Sequence, residues 1–114
     1  MAKDMPATAG PYIQLHCDMV VEPGREQEML SNYWNIFEPV ISKQPGFISV
    51  RMLKLRSNVI GTAPGNVQYR LLITFETEEL RQEWIARDIH QQVWPEVSKT
   101  LRELNCYLFD ACMP

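Results

Sequence analysis

The stretch 12-YIQLHCDMVVEPGREQEMLSNYWNIFEPVISKQPG-46 decides the fold, because the period of its apolar residues changes once within it. Ile13, Leu15, Cys17, Met19 and Val21 alternate with Gln14, His16 and Asp18, the period-two pattern of a strand with one apolar and one mixed face. Glu22-Pro23-Gly24 stops that pattern. From Arg25 to about Ile41 the apolar residues Met29, Leu30, Tyr33, Trp34, Phe37, Val40 and Ile41 recur three and four apart. Glu26 and Glu28 sit where negative charge complements a helix N-terminus, so the segment reads as an amphipathic helix. Pro39 donates no hydrogen bond and should loosen the last turn. Gln44-Pro45-Gly46 then turns the chain.

Towards the C-terminus, Phe47 to Arg56 and Val67 to Glu76 are rich in β-branched and large apolar residues, and the loop between them is punctuated by Gly61, Pro64, Gly65 and Asn66. They predict a hairpin. Thr77 is a helix cap followed by Glu78 and Glu79, with Leu80, Trp84 and Ile85 as the apolar stripe. Asp88 and Gln91 suggest a second cap. Val93, Val97, Leu101 and Leu104 continue the helical period, with Pro95 expected in the first turn of a renewed segment. Cys106 to Ala111 then reads as the last strand. The order strand, helix, strand, strand, helix, strand predicts an α+β, ferredoxin-like βαββαβ fold in which an antiparallel sheet carries its helices on one face. The other face would hold Tyr12, Val20, Ile48, Val50, Met52, Leu72, Tyr107 and Phe109, enough apolar surface to call for a partner. Sheet-on-sheet homodimerisation would cover it.

Composition narrows the function classes. At 114 residues, 46% hydrophobic and 22% charged, the chain has the makeup of one ordinary globular domain, expected over 12–114 behind a flexible leader at 1–11. A formal charge of -3, with no basic run among the aromatics, gives no reason to approach nucleic acid. No stretch has the length to cross a bilayer or to serve as a signal sequence, so a cytoplasmic address is expected. Cys17, Cys106 and Cys112 are odd in number and irregularly spaced, and read as reduced, mostly packed thiols. There is no G-x-S-x-G, no P-loop, no G-x-G-x-x-G and no pair of Cys or His at metal spacing, so neither a cofactor nor a metal is expected.

Glu22-Pro23-Gly24-Arg25-Glu26 after the first strand, Pro45-Gly46-Phe47 after the first helix, Phe75-Glu76, Trp84 and His90-Gln91 together resemble the antibiotic-biosynthesis-monooxygenase domain over about Tyr12 to Leu104. The resemblance implies a dimeric α/β barrel in which two sheets face each other. It also implies one of two chemistries: oxidation of quinols and phenolic polyketides by dioxygen without flavin or metal, or opening of haem. The haem-degrading branch uses an Asn, a Trp and a His. Laid over this chain, its Trp falls on Trp84, its Asn position on Cys17 and its His position on Trp94. An indole cannot serve as the axial ligand of iron, so haem degradation ranks third.

Among chemistry-bearing residues, Trp84 and Trp94 lie on or beside the core stripe of the second helical region, where an aromatic packs first and lines a ligand pocket second. His90 faces either solvent or the interior, depending on half a turn of helix; facing inward it is the best general base in the chain. His16, on the mixed face of the first strand, reads as an interface histidine. Arg51 and Arg70 call for a carboxylate such as Asp18, Glu22 or Asp110. Asn32 is expected in solvent. Taken together, the first reading is a cofactor-independent monooxygenase of a small quinol or phenol. His90 and Trp84 would be catalytic, with Trp94, Tyr33, Cys17 and Phe37 around the substrate. The alternative is a non-catalytic or regulatory dimer that binds a small molecule. A roomy cavity reached by His90 favours the first; a space filled by Met29, Phe37 and Trp84 favours the second.

Overall fold

The computed structural model describes residues 12–112. The proposed leader lies outside the described residues. Strands β1 (Ile13–Val21), β2 (Phe47–Lys54), β3 (Tyr69–Phe75) and β4 (Leu101–Asp110) form one antiparallel sheet in the spatial order β2-β3-β1-β4. Helices α1 (Glu26–Asn32), α2 (Glu38–Ile41), α3 (Glu78–Ala86) and α4 (Asp88–Ser98) pack on one face. This is the α+β, ferredoxin-like split βαβ plan predicted from the sequence.

β1 and β3 are the two inner strands, and β1 is paired along its whole length to β4. The inward residues of β1, Ile13, Leu15, Cys17 and Met19, stand opposite Phe75, Ile73, Leu71 and Tyr69 of β3. The helices close over them with Met29, Tyr33, Phe37, Ile41, Trp84, Val93 and Val97, all buried. Between α1 and α2 the chain widens into a π turn, Tyr33–Phe37, in which the Glu38 amide donates to the Tyr33 carbonyl. Pro39 follows at the start of α2 and cannot supply an amide to the preceding turn, so the loosening predicted for it occurs just before it.

Thr77 caps α3 as predicted, its hydroxyl accepting from the Leu80 amide at 3.1 Å. Four other expectations are corrected. Asp88 is not a cap: Arg87 is extended (φ -75, ψ 144), and α4 begins at Asp88 without a side-chain cap bond. Pro95 lies inside α4 and not in a first turn; Val93 and Val97 buried beside it hold the helix to the core. The last strand begins at Leu101 and not Cys106, because Thr100 closes the helix onto the Val97 carbonyl and β1 then pairs with β4 along its whole length. Leu101 and Leu104 match a helical period but sit in that ladder. Finally, Val50 and Met52 face the helices, opposite Ile73 and Leu71. A register shift between Phe47 and Ser49 moves the alternation of β2 by one residue, which exchanges its faces.

The open face therefore carries less apolar surface than the sequence implied. Tyr12, Tyr107 and Phe109 remain at 38%, 48% and 52% exposure, with Leu72 across β1 from Tyr107, whereas Val20 is buried within the protomer.

Gly46 holds the turn between α2 and β2. It has φ +83, and its carbonyl accepts from the Glu76 amide at 2.7 Å. A Cβ there would lie 2.6 Å from Leu80 Cδ1 and 2.8 Å from Leu80 Cβ, whereas one at Gly24 (φ +84) would meet nothing within 4 Å. Gly24→Ala should cost about 1 kcal/mol for the left-handed backbone alone. Gly46→Ala should cost that plus about 1–3 kcal/mol of overpacking against Leu80. Chemical denaturation of the two variants checks the order, and equal losses would refute the close approach.

Candidate functional site

Between the sheet and the helices lies a cavity of about 240 Å³. Leu15 and Cys17 of β1, Leu71 and Ile73 of β3, and Leu104 and Cys106 of β4 form its floor. Phe37, Arg81, Trp84, Ile85, His90 and Trp94 form its roof. The lining is overwhelmingly apolar, with polar groups at few points. Such a space favours a ring system over water, since apolar cavities of about 150 Å³ stay dry and take up benzene.

The roof is an aromatic cluster. Phe37 stands edge-on to both indoles, with ring centroids 6.2 Å from Trp84 and 5.6 Å from Trp94. His90 stands edge-on to Trp84 at 4.9 Å and an interplanar angle of 84°. The half-turn left open by the sequence is thus resolved inward, because the extended Arg87 restarts the helix and brings His90 back under Trp84. Burial holds His90 below its ordinary pKa of 6.5, so the ring is neutral at pH 7. Gln91 Nε2 lies 3.3 Å from His90 Nδ1 and donates to the Ile85 carbonyl at 3.2 Å. With that amide donating to Nδ1 as well, the imidazole proton sits on Nε2. Turning the Gln91 amide over would reverse the tautomer and free Nε2 to accept.

Arg81 was not singled out in the sequence. Its Nε and Nη2 form a two-pronged pair with Glu78, both bonds at 2.7 Å, and its side chain is 12% exposed. Nη1 makes no hydrogen bond among the described residues. The spacing signal was available: Arg81 precedes Trp84 by three residues on one helix and so shares its face. Leu104 was missed because it reads as helical, and Cys106 because it reads as ordinary packing.

Cys17, Phe37, Trp84, His90 and Trp94 thus meet around one cavity. Tyr33 does not. It is wholly buried behind Phe37, 6.3 Å between centroids, with no hydrogen-bond partner for its hydroxyl among the described residues. Burial pushes its pKa up to about 12. The four-residue spacing that puts Tyr33 on the inner face of the helix places it one layer away from the cavity.

Other polar residues have structural uses. Arg70 pairs with Asp18 through Nε at 2.6 Å and Nη2 at 3.1 Å on the open face, where His16 packs edge-on to Phe109 at 4.7 Å. Burial, then the Arg70 cation, hold His16 below its ordinary value. Arg51 finds no carboxylate among the described residues; its Nη1 donates to the Val50 carbonyl at 2.9 Å. Asn32 is not simply solvated, since its Nδ2 donates to the Glu96 carbonyl at 2.8 Å and ties α1 to α4. Two of the three thiols expected to be packed, Cys106 and Cys112, are exposed.

The sequence matches no protein-family model and no curated protein. Solved structures match over nearly the whole chain. A candidate antibiotic biosynthesis monooxygenase from Bordetella bronchiseptica superposes with a TM-score of 0.72 at 16% identity, over 90% of this chain and 99% of that one. SnoaB from Streptomyces nogalater, described as a cofactor-independent oxygenase and solved as its N63A mutant, gives 0.72 at 14% identity over 90% and 95%. The fold is that of the antibiotic biosynthesis monooxygenases. A dimeric ferredoxin-like protein of unknown function from Jannaschia superposes with a TM-score of 0.69 at 13% identity over 90% and 99%. Among the described residues no helix is long and apolar enough to cross a membrane, and no group of three His, Cys, Asp or Glu is set to hold a metal.

The position of His90 has a thermodynamic consequence. Its folded pKa is depressed while the unfolded chain keeps the ordinary 6.5, so the unfolded state binds more protons as pH falls through that value. Stability should be fully present above about pH 6.5 and decline on acidification until the folded pKa is passed. His16, shifted the same way, adds to the slope. Replacing His90 with Gln should flatten the pH dependence of the unfolding free energy between pH 7 and 5 without abolishing it. An identical slope in the variant would show that His90 is not buried as described.

Proposed function

We propose that the protein is a cofactor-independent monooxygenase of a small electron-rich aromatic, a quinol or phenol of one or two rings, acting as a homodimer. The observation that carries this reading is the apolar cavity whose polar groups, His90 and Arg81, stand among the two indoles. At about 240 Å³ it lies below the range of about 300–1,000 Å³ usual for drug-sized ligands, which sets the limit of one or two rings. That SnoaB, a protein of this fold, is a cofactor-independent oxygenase supports the reaction class.

In this reading His90 accepts the phenolic proton at Nε2 while the Gln91 amide presents its oxygen to Nδ1–H. The Arg81 guanidinium, through Nη1, holds the aryloxide by charge in a dry site where such attraction is little screened. Trp84, Trp94 and Phe37 fix the ring plane, and Leu15, Cys17 and Leu71 form the floor. The aryloxide passes one electron to dioxygen, and the two radicals combine to make a carbon–oxygen bond at an ortho or para ring carbon that bears hydrogen. The oxygen–oxygen bond then breaks with loss of that carbon's proton. A phenol and one dioxygen thus give a quinone and one water, and a quinol gives a hydroxyquinone and one water, with no external electron donor. The protein supplies position, a base and exclusion of water.

The dimer places two open faces together, covering Tyr12, Leu72, Tyr107 and Phe109. A second reading, ligand binding without chemistry, has one observation in its favour: Gln91 as placed occupies the only acceptor nitrogen of His90.

Two measurements test these proposals. Metal-free, flavin-free protein should consume oxygen with members of a quinol and phenol panel, and His90→Gln should lower turnover about 10²–10⁴-fold while ligand-induced quenching of Trp84 and Trp94 persists. Quenching without oxygen uptake in the wild type would establish the binding reading instead, and neither signal would reject both. Light scattering should return twice the 13.3 kDa chain mass. Tyr107→Asp, a charge within the open face, should shift the assembly to monomer; a monomeric wild type would remove the dimer.

A further inference from the structure

Two sulfurs that the proposed reaction does not use face each other on the cavity floor. Cys17 of β1 and Cys106 of β4 are directly opposite in the antiparallel ladder, with Sγ atoms 3.1 Å apart. The kind of opposition matters. The Ala111 amide donates to the Tyr12 carbonyl, which makes Tyr12 and Ala111 a hydrogen-bonded pair. Such pairs alternate along an antiparallel ladder, so Cys17 and Cys106, five steps on, form a non-hydrogen-bonded pair. There the Cα atoms stand about 4.5 Å apart and side chains approach closest. That lies inside the span of about 4.4–6.8 Å which a disulfide bridges, so the strands already hold the thiols at bonding separation.

We infer that Cys17 and Cys106 are a reversible dithiol–disulfide site, oxidised by a hydroperoxide that enters the cavity. The proposal is independent of turnover on aromatic substrates. Cys106, the exposed member, attacks first as thiolate. Its sulfur bonds to the terminal peroxide oxygen, the oxygen–oxygen bond breaks, and one proton completes the departing alcohol, or water in the case of hydrogen peroxide. The Cys106 sulfenic acid is then attacked by the Cys17 sulfur, the sulfur–oxygen bond breaks, and the hydroxide leaves with the Cys17 proton as water. Two thiols and one hydroperoxide give one disulfide, one alcohol and one water; the sulfur pair loses two electrons and the peroxide gains them.

The electrostatics suit that order. The hydrogen bond with Cys17, and then the Arg81 cation, draw the Cys106 thiol below its usual range against burial and Asp18. The hydrogen bond with Cys106 and burial push Cys17 up, so it stays protonated until the sulfenic acid forms. Cys112, exposed as well, has no partner sulfur among the described residues and serves as an internal reference.

The test is mass spectrometry of the reduced wild-type protein after a small excess of hydrogen peroxide, with free thiols alkylated under denaturing conditions. Alkylatable thiols should fall from three to one. The chain should become two hydrogens lighter, and one peptide pair should join Cys17 to Cys106, reversed by dithiothreitol. Because the bridge closes a long loop in the unfolded chain, the oxidised protein should also melt at a higher temperature. In Cys106→Ser, Cys17 should remain alkylatable at the same dose. The proposal is overturned if Cys17 and Cys106 stay alkylatable at a dose that oxidises Cys112. It is equally overturned if Cys106 gains oxygens without bonding to Cys17, or if the only disulfide joins Cys112 residues of two chains.

Discussion

The inner strand β1 is hydrogen-bonded on both edges, to β3 over seven residue pairs and to β4 along its whole length. The register of those two ladders fixes nearly everything else. It stacks Leu15 and Cys17 beside Leu71, Ile73, Leu104 and Cys106, which makes the cavity floor a continuous apolar sheet surface. It sends His16 and Asp18 to the opposite side, where Arg70 neutralises Asp18. A slip of one residue would carry Asp18 into the core and Cys17 out of it, so the alternation of β1 tolerates only one register.

The helices answer that floor with an arch. Phe37 comes from the π turn, Trp84 from α3 and Trp94 from α4, and the three rings meet edge-to-face, an arrangement that leaves space beneath where a filled core would close it. Two breaks in regular helix make the arch. The π turn before Pro39 carries Phe37, and the extended Arg87 separates α3 from α4 so that His90 reaches back under Trp84. Polar groups enter this apolar space already compensated: Arg81 by Glu78, and His90 by remaining neutral. An apolar pocket that keeps one cation and one neutral imidazole is suited to holding an anion of a flat ring.

Element order and type were legible in the sequence because they rest on local periodicity: period two in Ile13 to Val21, three and four in Met29 to Ile41 and in Leu80 to Ile85. Of the six nominated site residues, Cys17, Phe37, Trp84 and Trp94 meet around the cavity for the same reason, since an apolar face predicts what points inward, whereas His90 joins them only because the extended Arg87 restarts the helix. Tyr33 shows the limit of that logic. Its spacing correctly says inside and carries no information on which inner layer.

By itself the sequence determined the βαββαβ order, the inward face of each helix and of β1, because side-chain period acts between neighbours a few residues apart. Only the tertiary structure decided where β4 begins, which face Val50 and Met52 take, and that Cys17 meets Cys106 beneath Arg81 and His90. Those outcomes depend on backbone pairing between segments 89 residues apart and on a one-residue shift in β2, and no local pattern encodes either. The leucines at 101 and 104 satisfy a helical period and a strand equally; the open edge of β1 settles the matter, because unpaired backbone groups along an inner strand cost more than a few residues of helix return.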